Sequence, residues 1–388
     1  MLRALGLAMS VFVLWSPEPV GAGSDLGANA ALKYWQAIAT LPRLTAAEHD
    51  RLTWECLTMP LDAGARRMVT EAGYGLDMMH RGAALPRCDW AIGWPDEGLG
   101  NRLPYLEGAT LLSSLACLRA RVRFEEDQNA LGVADILAAM TLSRHTTCDG
   151  SLPSLVTCFA NERRLSETLA LYLPRLDAQT IKDLTKRLGA LPAGGSLAAG
   201  VLQEQLLESG WFVRKVREAK DRDSLLVFLG GVCHNSRNEG RALLDACGGT
   251  AAGVIQRTEE LRAWYPALAK QMELPLKQFA KEQDQAARKL GANPLYKMWA
   301  PPIISCRWRE AEADIRRALL SAAVAVQEGG IHTLKTHPDP VLDGPFEYVP
   351  FVGGFELRSK WRPDEKSLSQ RNRGRPEPLV LIVGRPGK

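Results

Sequence analysis

Apolar and polar positions recur with helical spacing from Asn29 to about Gln327, and strand-like alternation begins only after Gly330. Over residues 29–41, Leu32, Trp35, Ile38 and Ala39 fall toward one face. Thr45-Ala46-Ala47-Glu48 has the form of a capping box: the Thr45 hydroxyl accepts from the third helical N–H while Glu48 reaches back. The helix it opens turns Leu52, Cys56 and Met59 inward, and Asp62 caps a further stretch that carries Met68, Leu76 and Met79. Residues 87–102 interrupt the pattern with Trp90, Gly93, Trp94, Pro95 and Gly98, the composition of a structured loop. Helices are then predicted over 104–126, 129–145, 152–173, 178–191, 196–217, 223–230, 250–272, 275–290 and 305–327. Asp177 and Ser196 serve as caps, and the glycine pairs at 194–195, 248–249 and 329–330 end or join helices.

Beyond Gly330 the period changes. Phe346-Glu347-Tyr348-Val349 and Phe355-Glu356-Leu357-Arg358 alternate apolar with polar, and Gly353-Gly354 supplies the turn of a β-hairpin. Leu379-Val380-Leu381-Ile382-Val383 is a third strand, suited either to burial on both faces or to pairing with the hairpin. The predicted fold is therefore mainly α: an array of antiparallel helical hairpins followed by a small C-terminal antiparallel β element. The helices over 104–126 and 129–145, with Ala116, Ala120 and Ala134 permitting close approach, are tetratricopeptide-like, although no second copy recurs at a fixed period.

The amino terminus adds a targeting expectation. Arg3, an apolar run from Ala4 to Trp15, Pro17 and Pro19, then Val20-Gly21-Ala22 form the order of a secretory signal. The apolar run is shorter than the roughly 20 residues that span a bilayer. We therefore expect a signal peptide at 1–22, a helical body at 23–330 and a β-hairpin module with a basic loop at 331–388. The mature chain is expected to be exported, periplasmic or extracellular, with no transmembrane segment after signal removal.

Charge refines this picture only at the carboxy terminus. The net charge is +4, yet residues 358–388 hold nine basic and three acidic side chains, which leaves a nearly neutral body. A basic tail of this kind is ordinarily a solvated terminus, so no specific nucleic-acid partner is expected. Eight cysteines in an exported chain permit disulfides. Sequence proximity nominates Cys148 with Cys158 and Cys233 with Cys247, with Cys117 free in an apolar stretch. The absence of a Cys-x-x-Cys spacing argues against a zinc ribbon or a thioredoxin-type site, and neither metal nor cofactor is expected.

Several phrases resemble a group of uncharacterised exported bacterial helical proteins: Asn29-Ala30-Ala31-Leu32-Lys33-Tyr34-Trp35, Leu85-Pro86-Arg87-Cys88-Asp89-Trp90, Asn293-Pro294-Leu295, and Asp339-Pro340 followed by Gly344-Pro345-Phe346-Glu347-Tyr348. The resemblance spans most of the chain and implies a helical body with a short β element, without implying an activity. The last of these phrases, continued through Gly354-Phe355-Glu356-Leu357-Arg358-Ser359, also looks like the C-terminal β module of type II secretion pseudopilins. Lys360-Trp361-Arg362-Pro363 stands where that module has an acidic calcium loop, so calcium is not implied.

Candidate chemistry is sparse. His145, Cys148 and Asp149 cluster at a helix end, where a histidine suits the negative end of the helix dipole as well as it suits a metal. Cys233-His234-Asn235 names papain-like residue types, but adjacent residues do not assemble such a site. His332 and His337 lack the helical i, i+4 spacing of a zinc pair. The remaining constellation is Asp89, Asp96 and Glu97 beside Trp90 and Trp94. Carboxylates next to aromatics build many glycan clefts, with the acids catalytic and the tryptophans stacking the sugar. The same residues equally describe a loop anchored by buried tryptophans. The chain alone therefore favours a non-catalytic binding or scaffolding protein of the cell envelope that engages an envelope protein or polymer. The alternative is an envelope hydrolase acting on glycans.

Overall fold

A computed structural model describes residues 28–92, 98, 103–233, 236–362 and 378–385, so the expected signal peptide, Trp94, Asp96, Glu97 and most of the basic loop lie outside the described residues. The helices, in chain order, begin with α1 (Ala30–Ala39), α2 (Ala46–Glu55), α3 (Ala63–Glu71) and α4 (Gly73–Ala83). The long central helices are α5 (Pro104–Glu125), α6 (Asn129–Thr146) and α7 (Leu152–Tyr172). Shorter ones follow: α8 (Ala178–Gly189), α9 (Leu197–Leu206), α10 (Val213–Glu218), α11 (Arg222–Val232), α12 (Arg237–Ala246), α13 (Ala251–Arg262), α14 (Trp264–Gln271) and α15 (Leu276–Leu290). The last, α16 (Pro294–Gly329), runs 36 residues. Three strands close the chain: β1 (Glu347–Phe351), β2 (Gly354–Arg358) and β3 (Val380–Gly384).

The helix starts are set by the side chains that the sequence nominates. Thr45 and Glu48 make the reciprocal capping box, and Asp62, Asp177 and Ser196 each accept from a first-turn N–H; Asn29, not named as a cap from the sequence, does the same for α1. Four stretches depart from expectation: residues 250–272 form two helices, α13 and α14, and residues 196–217 hold α9 and α10 with a π-helical segment, Leu207–Phe212, between them. Residues 237–246 form a helix begun by Ser236, and α16 begins at Asn293–Pro294 rather than near 305, continuing through Pro301 and Pro302. Those prolines remove N–H groups that would bond to the carbonyls one turn back. Burial of Leu295, Tyr296, Ala300 and Ile303 outweighs that loss and holds the segment helical.

The strands form one antiparallel sheet in the order β1-β2-β3. Phe355 pairs with Val383 and Leu357 with Leu381, and these four side chains are buried. Ile382 between them faces outward. β3 therefore gains its partner from the hairpin and buries one face against α7, following the second of the two alternatives for this strand.

The apolar interior divides into two clusters. One unites α1–α8, the carboxy-terminal half of α16 and the sheet; the other unites α9–α15 with residues 295–306 of α16 and the first turn of α7. α7 and α16 pack along each other and enter both clusters, so side chains on their shared face lie where the two parts meet. No described helix is long and apolar enough to cross a membrane.

Candidate functional site

The loop after α4 carries the residues that sequence reasoning favoured, and its geometry assigns them different work. Asn29 accepts from the Asp89 N–H at 2.9 Å and donates to the Asp89 carbonyl at 2.8 Å, while Ala30 N–H donates to the Arg87 carbonyl. The Asp89 carboxylate accepts from Ala91 N–H at 2.9 Å, closing an Asx-type turn at the surface around Ala91, whose φ is +53°. Trp90 points the other way. It lies between the rings of Tyr34 and Tyr105, with centroids 5.8 and 4.3 Å away, and its Nε1–H donates to the His145 carbonyl at 2.8 Å. Trp90 is thus a buried anchor, not a stacking platform open to a sugar, and Asp89 is an exposed turn former.

The end of α6 completes this aromatic cluster. The Tyr34 hydroxyl meets His145 Nδ1 at 2.8 Å. Asp149 accepts from Tyr105 and from the hydroxyls of Ser151 and Ser154. His145 and Asp149 are therefore committed to phenols and hydroxyls, and no group of three or more possible metal ligands occurs among the described residues. Burial overrides the helix dipole at His145 and lowers its pKa to about 4. The unfolded chain takes up a proton below about 6.5 and the folded state does so only near 4, so His145 makes the fold less stable as pH falls through that window. The difference amounts to about 3 kcal/mol at full development. Urea denaturation of wild type and His145→Gln between pH 7 and pH 4 should show the wild type losing this much relative to the variant. Parallel curves would refute the assignment.

The cysteine pairs nominated from proximity are not made; all eight cysteines are thiols. Cys148 has Cys88 as its neighbour instead, and Cys158 stands beside Glu162. Cys233 and Cys247 cap α11 and α12, which pack as a hairpin. One lies at the turn and the other at the far end of a ten-residue helix about 15 Å long. Cys233 instead meets the Met298 sulfur at 3.8 Å.

A groove that combines buried charge with an apolar wall lies elsewhere, between α6, α7, α8 and α16. It has a volume of about 580 Å³ and adjoins a smaller cavity of about 270 Å³ through Arg144, Glu162 and Arg317, which line both. Glu162, 5% exposed, sits at the junction. Arg144 Nε donates to its Oε1 at 2.6 Å and Arg317 Nε to its Oε2 at 2.8 Å. Arg144 Nη1 also donates to the Pro192 carbonyl, and Arg317 Nη1 to Asp314 at 2.6 Å. Met140, Leu188, Leu191, Leu320 and Val324 give the larger groove an apolar wall, and Ser166, Thr185, Ser321 and Thr333 add hydroxyls. In the smaller cavity burial raises Glu310 to about 7. Glu204 on α9 is likewise raised to about 7, by burial first and by the charge of Asp149 second. Both therefore exchange a proton near neutrality.

Sequence reasoning missed Arg144, Glu162, Arg317, Glu204 and Glu310. Glu162 alone left a signal: it interrupts the apolar seam Leu155, Cys158, Leu165, Leu169 of α7, where a charge must find partners on another helix. Neither a family model, nor a curated protein, nor a solved structure matches the chain.

Proposed function

We propose that the chain is an exported, non-catalytic binding protein of the cell envelope, and that it takes its ligand in the groove floored by Arg144, Glu162 and Arg317. The carrying observation is the way these three charges are joined. The Glu162 carboxylate is held from both sides and cannot serve as a free base. Each arginine spends Nε and one terminal nitrogen inside the protein, which orients its remaining edge for a carboxylate or phosphate of a ligand. The volume suits a small molecule or the end of a polymer, with the leucine wall covering its apolar part. The signal-like first 22 residues support an envelope location, and the burial of Trp90 favours an anchored scaffold over a sugar cleft at the 87–92 loop.

The test uses a peptidoglycan-derived disaccharide peptide with free carboxylates as the probe, titrated calorimetrically. Saturable binding is expected, weakened about tenfold, or ~1.4 kcal/mol, by Arg317→Lys, which keeps the charge and loses the planar fork. Equal binding by wild type and variant, or none at millimolar probe, would sink the proposal.

One observation favours the second reading, an envelope hydrolase acting on glycans. Glu204 and Glu310, both near 7, have the protonation behaviour of a general acid. Release of new reducing ends from the probe or from intact peptidoglycan, abolished by Glu310→Gln or Glu204→Gln, would replace the binding assignment with this one.

A further inference from the structure

Two pairs of cysteines distant in sequence meet in the fold. The first is Cys88 with Cys148. Cys88 lies in the loop fixed by Asn29 and by the Trp90–His145 hydrogen bond, so the chain two residues before Trp90 runs beside the chain three residues after His145. The side chains of Cys88 and Cys148 are close neighbours, and both stand near the Tyr34 hydroxyl. The second pair is Cys56 with Cys117. Arg121, one turn beyond Cys117 on α5, donates to the carbonyls of Cys56 and Met59 and so draws the end of α2 onto that face. The side chains of Cys56 and Cys117 are close neighbours, and both lie near the Arg164 guanidinium, which itself holds the Thr53 carbonyl at 3.0 Å.

We propose that oxidation closes two disulfides, Cys88–Cys148 and Cys56–Cys117, and leaves Cys158, Cys233, Cys247 and Cys306 as thiols. The four left over have other neighbours: Cys158 stands next to Glu162, Cys233 meets Met298, Cys247 lies near Arg257 and Glu260, and Cys306 donates to the Pro302 carbonyl at 3.4 Å.

Each closure forms one S–S bond and removes two protons and two electrons from a pair of thiols. An external disulfide accepts them and leaves as two thiols. At the first pair Cys148 is the attacking group, because it is exposed and its contact with Cys88 lowers its pKa. Its thiolate attacks the external disulfide and expels one thiolate. Cys88, once deprotonated, then attacks the Cys148 sulfur and expels the second. Cys56 and Cys117 are both buried, so their bond closes during folding, before α2 seats on α5.

The test is peptide mapping of the unmutated protein. It is unfolded and reduced, refolded with oxidised and reduced glutathione, alkylated, and digested without reduction. Mass spectrometry should then find the Cys88 peptide joined to that of Cys148 and the Cys56 peptide to that of Cys117, with the other four cysteines alkylated. A brief exposure of the refolded protein to a mild reductant should free Cys88 and Cys148 at least tenfold faster than Cys56 and Cys117. Alkylated Cys88 and Cys148, or alkylated Cys56 and Cys117, after oxidative refolding overturns the assignment of that pair. Recovery of Cys148–Cys158 or Cys233–Cys247 overturns the whole scheme.

Discussion

Asp135→Ala is expected to lower stability by about 3–5 kcal/mol. Asp135 is fully buried on α6 and both of its oxygens are saturated with donors. Oδ1 accepts from His80 Nε2 at 2.7 Å and from Arg119 Nη2 at 2.6 Å; Oδ2 accepts from Arg119 Nε at 3.0 Å and Arg123 Nη1 at 2.7 Å. One carboxylate thereby ties α4, α5 and α6 together, with Arg119, 6% exposed, gripping it by two parallel bonds. Removing the acid leaves the Arg119 charge buried with only its contact to Asp77 at 3.3 Å, on a side chain that is mostly solvated. That residual partner cannot offset the desolvation of Arg119. Replacing Arg119 with Met in the Asp135→Ala background should recover a large part of the loss, because the orphaned charge is then gone. Urea denaturation checks both expectations: the midpoint should fall sharply in the single variant with an unchanged slope, and rise again in the double. A single-variant loss below about 1 kcal/mol would show that the network contributes little.

Asp135 and Glu162 also show where sequence reasoning stops. The helices, most of their caps and all three strands are legible because the information is local: Thr45 and Glu48 are three residues apart, and the alternation around Phe355 and Leu357 lies within one strand. The departures come from tertiary packing. Pro301 and Pro302 argue locally for a break, and only the burial of Tyr296, Ala300 and Ile303 against other helices keeps α16 continuous. The groove depends on Arg144, Glu162 and Arg317, whose last member lies 155 positions from its carboxylate partner. No local pattern joins them, although a lone glutamate on the apolar seam of α7 announces that some cation must cross to it. The cysteines repeat the lesson. Sequence proximity favours residues at opposite ends of a helix, such as Cys233 and Cys247, whereas contact follows from how loop 87–92 and α2 dock on the central helices.

Trp90→Ala should cost about 3–5 kcal/mol, while Asp89→Asn should stay within about 0.5 kcal/mol of wild type. Trp90 is 4% exposed, with Tyr34 and Tyr105 stacked on its faces and Trp35 meeting it edge-on at 5.8 Å. Truncation leaves a large cavity among rings that are themselves held in place, since Tyr34 is bonded to His145 and Tyr105 to Asp149. Those bonds prevent the cluster from collapsing into the space, so the cavity contribution adds to the lost burial. The His145 carbonyl also loses the Trp90 donor. Trp90→Phe should restore much of the stacking but not that hydrogen bond, and should fall between wild type and alanine. Asp89, by contrast, works through one oxygen accepting from Ala91 N–H, and an asparagine supplies the same acceptor in the same turn. The two substitutions separate the two uses of this loop. If it is an anchor, stability follows Trp90 and is indifferent to Asp89, and glycan binding changes only as the folded fraction does. If it is a sugar cleft, Trp90→Ala and Asp89→Asn both remove glycan binding from protein that remains folded. Thermal denaturation run beside binding to soluble peptidoglycan fragments distinguishes them. Loss of binding in a folded Asp89→Asn variant would return the 87–92 loop to the centre of the molecule's function.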